Sequence, residues 1–229
     1  MKKCLLCGQL FVPRTALLHL LSWHLHRQAA ICSPCLAKFE RLAEPKCRIC
    51  AGQLVAGQGC DDCQRWQQIY GKKILFNHAV YRYNEACHDL MVNFKRYGDY
   101  LLYQVLQELC YRELSKIKAD FYVPVPTSPE HLAQRQFDTI SAIYGDLVPL
   151  SNILLKGPGY GAQGEKTRAD RLSSQQSFTV AKKTASNLNK HKVLLLDDIY
   201  TTGRTLYHAR DALLSVFPQA QITSFTICR

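Results

Sequence analysis

Residues 193–206, VLLLDDIYTTGRTL, decide the fold that the sequence predicts. Apolar residues from Val193 to Leu196 run without interruption into the adjacent carboxylates Asp197 and Asp198. An uninterrupted apolar run of this kind is typical of a parallel strand buried on both faces. Small hydroxyl residues and a glycine follow, and apolar residues then recur at helical spacing. The stretch therefore predicts a strand, a polar loop and a helix in immediate succession.

Strands and helices alternate in the sequence on both sides of this stretch. Strands are predicted over residues 76–84, 120–126, 147–156 and 221–229. Residues 84–114 predict one or two helices, with Asn84 as the N-cap and Gly98 as a break, and residues 127–147 predict one helix capped by Ser128. Such alternation predicts an α/β fold, a parallel sheet with helices on both faces.

Eight of the eleven cysteines form four C-x-x-C pairs before residue 64, which are Cys4/Cys7, Cys32/Cys35, Cys47/Cys50 and Cys60/Cys63. Two such pairs facing each other supply the four sulfurs of a tetrahedral zinc site, so one or two Zn²⁺ ions are expected. Sequential and crossed partitions of the pairs both remain open. A thioredoxin-like redox site is the alternative for a single pair, but this segment lacks the βαβ pattern that it requires.

The cysteine pattern also divides the chain. Residues 1–68 predict a small zinc-ribbon module, and residues 74–229 predict the α/β domain, with a hinge at residues 71–73. The sequence has no transmembrane span or signal peptide, so we expect a cytoplasmic protein without stable membrane insertion. Cysteines in a reducing compartment favour metal binding over disulfides. The formal net charge of +11 favours an anionic partner.

The residues after the predicted strand suggest a particular ligand. Ligands of parallel sheets bind at the carboxyl ends of the strands, where Asp197 and Asp198 lie. The following loop opens a helix, and its amides, the hydroxyls of three threonines and Gly203 suit a phosphate. Carboxylates repel phosphate but accept hydrogen bonds from hydroxyls. Together the two features predict a ribose 5-phosphate group.

The same motif resembles the signature of type I phosphoribosyltransferases. The resemblance implies that Asp197 and Asp198 are the catalytic acidic pair, binding the ribose hydroxyls of phosphoribosyl pyrophosphate, a ligand that requires Mg²⁺. It also implies a 5-phosphate loop made of Thr201, Thr202, Gly203, Arg204 and Thr205. Tyr200 is bulkier than the aliphatic residue usual in that family. We expect Asp198 and Gly203 to lie at the surface, so that substituting them spares the fold.

A wider resemblance covers nearly the whole chain. The cysteine pairs, NFKRYGD (93–99), VPVPTSPEHLAQRQFD (123–138) and GAQGEKTRADRLSSQQSFTV (161–180) together resemble the ComF/ComFC family of competence proteins. The resemblance implies a pyrophosphate side at Pro126 and Thr127. It also implies phosphate-binding cations, Lys95, Arg96 and Arg135, and a lid carrying Gln163, Arg168 and Arg171. The family's Arg-Gly-Phe-Asn is here residues 135–138, RQFD.

Two functions are compatible with these motifs. One is an active phosphoribosyltransferase of nucleobase or nucleotide metabolism, although no segment identifies an acceptor. The other, which we favour, is a phosphoribosyl-pyrophosphate-binding protein of DNA uptake and natural transformation. The family resemblance implies single-stranded DNA and a DNA-uptake helicase as its partners. Tyrosines mixed with lysine and arginine over residues 81–100 could stack on bases, although at helical spacing several of them suit a core.

Overall fold

The computed structural model describes residues 1–13, 29–54, 60–157, 178–181 and 187–229. The strands of this part are β1 Lys2–Lys3, β2 Leu10–Phe11, β3 Asn77–Tyr81, β4 Phe121–Pro124, β5 Leu154–Lys156, β6 Phe178–Val180, β7 Lys192–Leu196 and β8 Gln221–Cys228. Its α-helices are α1 Ser33–Leu36, α2 Asp61–Tyr70, α3 Glu85–Lys95, α4 Tyr103–Leu114, α5 Pro129–Arg135, α6 Thr139–Tyr144 and α7 Arg204–Val216.

A four-stranded parallel sheet, in the order β3-β8-β7-β4, forms the centre of the fold. Strand β7 lies inside the sheet, as its apolar sequence predicts. Because all four strands are parallel, their carboxyl ends meet at one edge. The residues that follow β7 and β4 therefore share that edge, which brings Asp197 and Asp198 near Pro126 and Thr127. The short β1/β2 and β5/β6 pairs are antiparallel.

The sheet is covered on both faces, which confirms the predicted architecture. Leu194 and Leu196 of β7 belong to one hydrophobic core, together with helices α3, α4 and α6. Val193 and Leu195 belong to a second core, with helices α2 and α7. Alternate residues of the strand thus face opposite cores, as the period of a β-strand requires.

Each core also contains part of the cysteine-rich segment. The first core includes Cys4, Cys32 and Cys35, and the second includes Cys47, Cys50 and Cys63, together with Trp66. The segment therefore contributes to the packing on both sides of the sheet. The boundary between residues 1–68 and 74–229 remains a prediction.

Two local predictions differ from the structure. The single helix expected over residues 127–147 is two helices, because Gln136 adopts the left-handed conformation (φ 64°) that ends α5. Asp138 then caps α6 by accepting a hydrogen bond of 2.7 Å from the amide of Ser141. The strand expected over residues 147–156 is confined to β5. Asn84 does cap α3, accepting from the amide of Cys87 at 3.1 Å.

Candidate anion site and metal centres

The acidic pair lies at the carboxyl end of β7, inside the edge of the sheet. The Asp198 carbonyl accepts hydrogen bonds from the amides of Ile227 and Cys228 at 3.0 and 3.1 Å. The buried Tyr144 hydroxyl donates to the carbonyl of Asp197 at 2.9 Å. Asp198 is only 4% exposed, so the expectation that it lies at the surface is wrong. Hydrogen bonds to the neighbouring strand and a helix draw this turn into the packed interior.

A lysine neutralises the buried carboxylate. Lys95, at the end of α3, places its Nζ 2.5 Å from Oδ2 of Asp198. Arg135, at the end of α5, donates from Nε to the Lys95 carbonyl at 2.7 Å, which joins the two helix ends. Arg96 is exposed on the surface. Of the three cations named from the sequence, Lys95 and Arg135 therefore lie at the acidic pair.

The charges around the pair alter its protonation. Burial first, and then the charge of Asp198, raise the pKa of Asp197 from 3.8 to about 7, although Lys95 and Lys156 oppose the shift. Desolvation and the charges of Arg135, Lys156 and Lys95 lower the pKa of His131. Lys156 thus belongs to the cationic surroundings of the site, and these charges disfavour protonation of the neighbouring His131; the sequence patterns identified neither residue. Lys156 ends the short strand β5 and belongs to none of the motifs quoted from the sequence.

The candidate phosphate loop connects the acidic pair to α7. Gly203 adopts φ 82° immediately before that helix, a conformation that favours glycine. The amides of the helix's first turn have no partner within the helix and suit an anion. Thr202 and Gly203 are buried, whereas Thr201 and Thr205 are exposed, so the expectation of a surface position for Gly203 is also wrong. A side chain at residue 203 would overlap the Tyr200 phenol.

The loop after β4 meets the helix cap at residue 138. The Thr127 amide donates to Oδ2 of Asp138 at 3.1 Å, and the Thr127 and Thr139 hydroxyls lie 3.4 Å apart. Burial opposes ionisation of Asp138, but hydrogen bonds from Ser141 and Thr127 outweigh it and lower the pKa of Asp138. The RQFD departure is therefore accommodated, because Gln136 takes the left-handed turn and the acid caps a helix while holding Thr127. Pro126 is partly buried beside it.

The cysteine pairs gather into two tetrads. Sulfurs within each tetrad lie within 4.8 Å of one another, and the groups are Cys4/Cys7/Cys32/Cys35 and Cys47/Cys50/Cys60/Cys63. This is the sequential partition rather than the crossed one. None of the cysteines forms a disulfide. The sulfur separations include 3.8 Å for Cys7–Cys32 and 3.5 Å for Cys47–Cys63.

These dimensions fit a tetrahedral zinc ion. Zn–S bonds of ~2.3 Å require sulfurs about 3.8 Å apart, close to the observed separations. Backbone amides point at the sulfurs, including Cys32 N to Cys4 Sγ and Gly52 N to Cys50 Sγ, both at 3.4 Å. Such donors stabilise thiolates and orient metal ligands. Each tetrad could therefore hold one ion.

The structure also joins the second tetrad to the candidate phosphate loop. Arg229, which follows β8, donates to Cys50 Sγ at 3.5 Å and to the Thr201 carbonyl at 3.0 Å. Trp66 of α2 donates from Nε1 to the Thr202 carbonyl at 2.7 Å. No sequence motif indicated either residue, because their partners lie far away in the chain. The predicted lid residues Gln163, Arg168 and Arg171 lie outside the described residues.

The fold and its site define an α/β protein with a parallel sheet, an acidic pair beside a helix-opening loop, and two cysteine tetrads. The chain is 31% identical over 228 residues to the competence protein ComFC of Streptococcus pneumoniae, covering 99% of this chain and 100% of that protein. It is 28% identical over 235 residues to ComFC of Bacillus subtilis, covering 99% and 94%. The chain belongs to the ComFC family of competence proteins.

Two further findings accompany this assignment. No protein-family model matches the chain. Among the described residues, none of the helices combines the length and the apolar character needed to cross a membrane.

Proposed function

We propose that this protein binds phosphoribosyl pyrophosphate with Mg²⁺ at the edge of the sheet and acts in competence, handling single-stranded DNA during uptake together with a helicase. The observation that carries the sugar-phosphate part is the juxtaposition of Asp197 and Asp198 with the glycine turn that opens α7. Family membership supports the competence role. The cytoplasmic location remains a prediction.

The ribose hydroxyls and the 5-phosphate of the ligand suit two different parts of the site. Ribose hydroxyls donate hydrogen bonds, so they suit Asp197 and Asp198, which would serve as acceptors. The 5-phosphate suits the amides and hydroxyls of residues 201–205, because a helix N-terminus favours an anion. Bound Mg²⁺ would neutralise the pyrophosphate, and Lys95 and Arg135 supply further positive charge near Pro126 and Thr127.

The ligand would have to break the ion pair between Lys95 and Asp198 when it binds. When a ribose hydroxyl takes the acceptor position on Asp198, the Lys95 ammonium loses its partner. Phosphate oxygens of the same ligand then offer a replacement. The lysine thus compensates the buried carboxylate without ligand and contributes to pyrophosphate binding with it. The exchange keeps the Lys95 ammonium paired with an anion, while the Asp198 carboxylate accepts a hydrogen bond from the ribose hydroxyl in place of the ion pair.

Zinc completes the proposal for the cysteine-rich segment. The tetrads supply four sulfurs each at separations that suit Zn²⁺. A structural zinc site contributes folding free energy to a segment too short for a large core of its own. We therefore assign one Zn²⁺ to each tetrad, two per chain.

A surface beside the sugar-phosphate site suits single-stranded DNA. Tyr97 is 78% exposed and Tyr100 is 47% exposed, and Arg96 is exposed next to them. The turn at Gly98, with φ 71°, lies between Tyr97 and Tyr100, after the end of α3. Exposed aromatic rings near a cation can stack on bases while the cation binds the backbone. Buried Tyr81 and Phe94 belong to the core instead, so only part of residues 81–100 is available.

Calorimetry with phosphoribosyl pyrophosphate and Mg²⁺ tests the sugar-phosphate proposal. Asp198→Asn removes the charge but preserves the size of the side chain, and we expect roughly ten- to a hundredfold weaker binding. Asp89→Asn is the matched control, because Asp89 is an exposed carboxylate on α3 that pairs with His88. Equal affinities of wild type and both variants would contradict the assignment. Release of pyrophosphate in the presence of nucleobases would instead favour an active transferase.

A further inference from the structure

Two side chains donate hydrogen bonds to the backbone of the candidate phosphate loop. Arg229 donates from Nη1 to the Thr201 carbonyl at 3.0 Å. Trp66 donates from Nε1 to the next carbonyl, that of Thr202, at 2.7 Å, and its side chain is buried. Successive carbonyls of this turn are therefore both anchored.

Both anchors belong to the surroundings of the second tetrad. The other end of the Arg229 guanidinium, Nη2, donates to Cys50 Sγ at 3.5 Å and to Oδ2 of Asp62 at 3.1 Å. Asp62 and Trp66 lie on α2, the helix that also carries Cys63. The anchors thus contact a tetrad sulfur directly or share the helix that carries one.

Tyr200 fills the space between the loop and the tetrad. The Arg229 guanidinium carbon lies 4.9 Å from the centre of the Tyr200 ring, and the ring is buried against Gly203. Tyr200, Cys50 and Cys63 belong to one hydrophobic core. The bulky Tyr200 side chain therefore packs between the loop and the second tetrad.

The anchored carbonyls determine where the loop's amides point. In a trans peptide the carbonyl of one residue and the amide of the next point in opposite directions. Because the carbonyls of Thr201 and Thr202 point toward Arg229 and Trp66, the amides of Thr202 and Gly203 point away from these two side chains. These are amides of the turn that would bind the phosphate.

We propose that the second cysteine tetrad sets the phosphate-binding conformation of residues 201–203 through Arg229 and Trp66, so that metal occupancy of this tetrad and phosphate binding at the loop are thermodynamically linked. The ligand part rests on the proposed function. Linkage is reciprocal, so the sugar phosphate must tighten metal binding at the tetrad by the same free energy with which the metal tightens phosphate binding. The first tetrad packs in the other core and lacks these contacts.

Hydrogen exchange measured by mass spectrometry on the full, zinc-loaded chain tests the coupling without any ligand. Arg229→Lys keeps the positive charge but cannot contact Thr201, Cys50 and Asp62 together. Trp66→Phe removes the N–H that donates to the Thr202 carbonyl. That N–H does not contact a tetrad sulfur. In both variants, we expect the peptide covering residues 199–206 to exchange roughly tenfold faster. Zinc content, measured in the same samples, should stay at the wild-type level in Trp66→Phe.

Arg41→Ala is the matched control. Arg41 also lies over a tyrosine, Tyr81, at 5.6 Å, but it pairs with Glu113 on the surface near the first core. This variant should leave exchange of residues 199–206 unchanged. Addition of a zinc chelator to the wild type should accelerate exchange in the same peptide, and ribose 5-phosphate should raise the chelator concentration at which half of the zinc is removed.

The outcomes separate the two proposals. If residues 199–206 exchange at the wild-type rate in both zinc-loaded variants, Arg229→Lys and Trp66→Phe, the proposed coupling is overturned. Faster exchange in both variants, in a protein whose wild type binds neither ribose 5-phosphate nor phosphoribosyl pyrophosphate, would support the coupling and refute the sugar-phosphate function. If wild type does bind these ligands, both variants should bind them roughly tenfold more weakly.

Discussion

The ammonium of Lys95 lies 2.5 Å from the carboxylate of Asp198, with the two side chains 25% and 6% exposed. This ion pair joins the end of α3 to the end of β7, two elements that lie far apart in the sequence. It also occupies a carboxylate that we assign to the sugar ligand. The same contact therefore bears on the stability of the protein and on the free energy of ligand binding.

Removing the lysine should destabilise the fold. Lys95→Met leaves the buried Asp198 carboxylate without its cation. We expect the free energy of unfolding to fall by about 1–3 kcal/mol, less than for a fully buried pair, because a quarter of the Lys95 side chain is exposed. Urea unfolding at neutral pH measures the change. Arg96→Ala, an adjacent exposed position, should change it by no more than about 0.5 kcal/mol. Equal effects of the two variants would show that the ion pair contributes nothing specific.

The raised pKa of Asp197 predicts a pH dependence. Its pKa rises from 3.8 to about 7, chiefly through burial and the charge of Asp198, so the folded protein keeps a proton that the unfolded chain loses. Its contribution to stability is therefore full below pH 3.8 and is lost as pH rises toward 7.

Asp197→Asn isolates this contribution. The asparagine oxygen can still accept the hydrogen bond that Asp197 Oδ1 receives from the Asp198 amide at 2.9 Å. Relative to this variant, the wild type should lose stability between about pH 4 and pH 7 and change no further above that range. Unfolding curves of both proteins at several pH values give the difference. A constant difference across this range would contradict the raised pKa.

Zinc content should follow the tetrads. We expect elemental analysis to find about two Zn²⁺ per chain in protein purified without added metal. Cys50→Ser should lower this content and unfold the second site, since its metal supplies folding free energy. Cys110→Ala is the control, because Cys110 is equally buried and lies outside both tetrads. A folded chain that contains no zinc would refute the metal assignment.

Gly203 should resist substitution more strongly than another left-handed glycine. Gly203→Ala combines an unfavourable φ of 82° with overlap against Tyr200, whereas Gly98 has φ 71° and open space around it. Gly98→Ala should therefore cost only about 1–2 kcal/mol, the conformational penalty. Gly203→Ala should cost more, as measured by thermal unfolding. Combining it with Tyr200→Phe should recover only the part of the loss that the hydroxyl causes, because the ring carbon Cζ also lies 2.5 Å from the added Cβ.

Single-stranded DNA binding should depend on Arg96 and Tyr97. If Arg96 neutralises one phosphate, Arg96→Ala should reduce the slope of log K against log salt by about 0.7. Tyr97→Ala should weaken binding without changing that slope, because a tyrosine contributes stacking rather than charge. Arg112→Ala, an exposed cation on α4, should do neither. Oligothymidine titrations across a salt series provide the measurement, and an unchanged slope in Arg96→Ala would place the surface elsewhere.

The sequence alone determined those features that short segments encode. An apolar run predicts the buried β7, the spacing after it predicts α7, and Asn84 marks the start of α3. Closely spaced cysteines predict metal centres, since two residues between the thiols suit one tight turn. In each case the physical cause lies within a few residues of its effect.

Tertiary structure decided the contacts that give the site its properties. Arg229 meets Cys50 across 179 positions, and Lys95 reaches Asp198 from another helix. The burial of Asp198 and the packing of Tyr200 on the second tetrad also come from contacts between distant segments. Such contacts leave no signal in the local sequence, because folding brings distant residues together. Burial then strengthens the electrostatic interactions between their charges. The sequence therefore indicated which groups belong to the candidate site, and packing set their partners, their protonation and the contacts with the second tetrad.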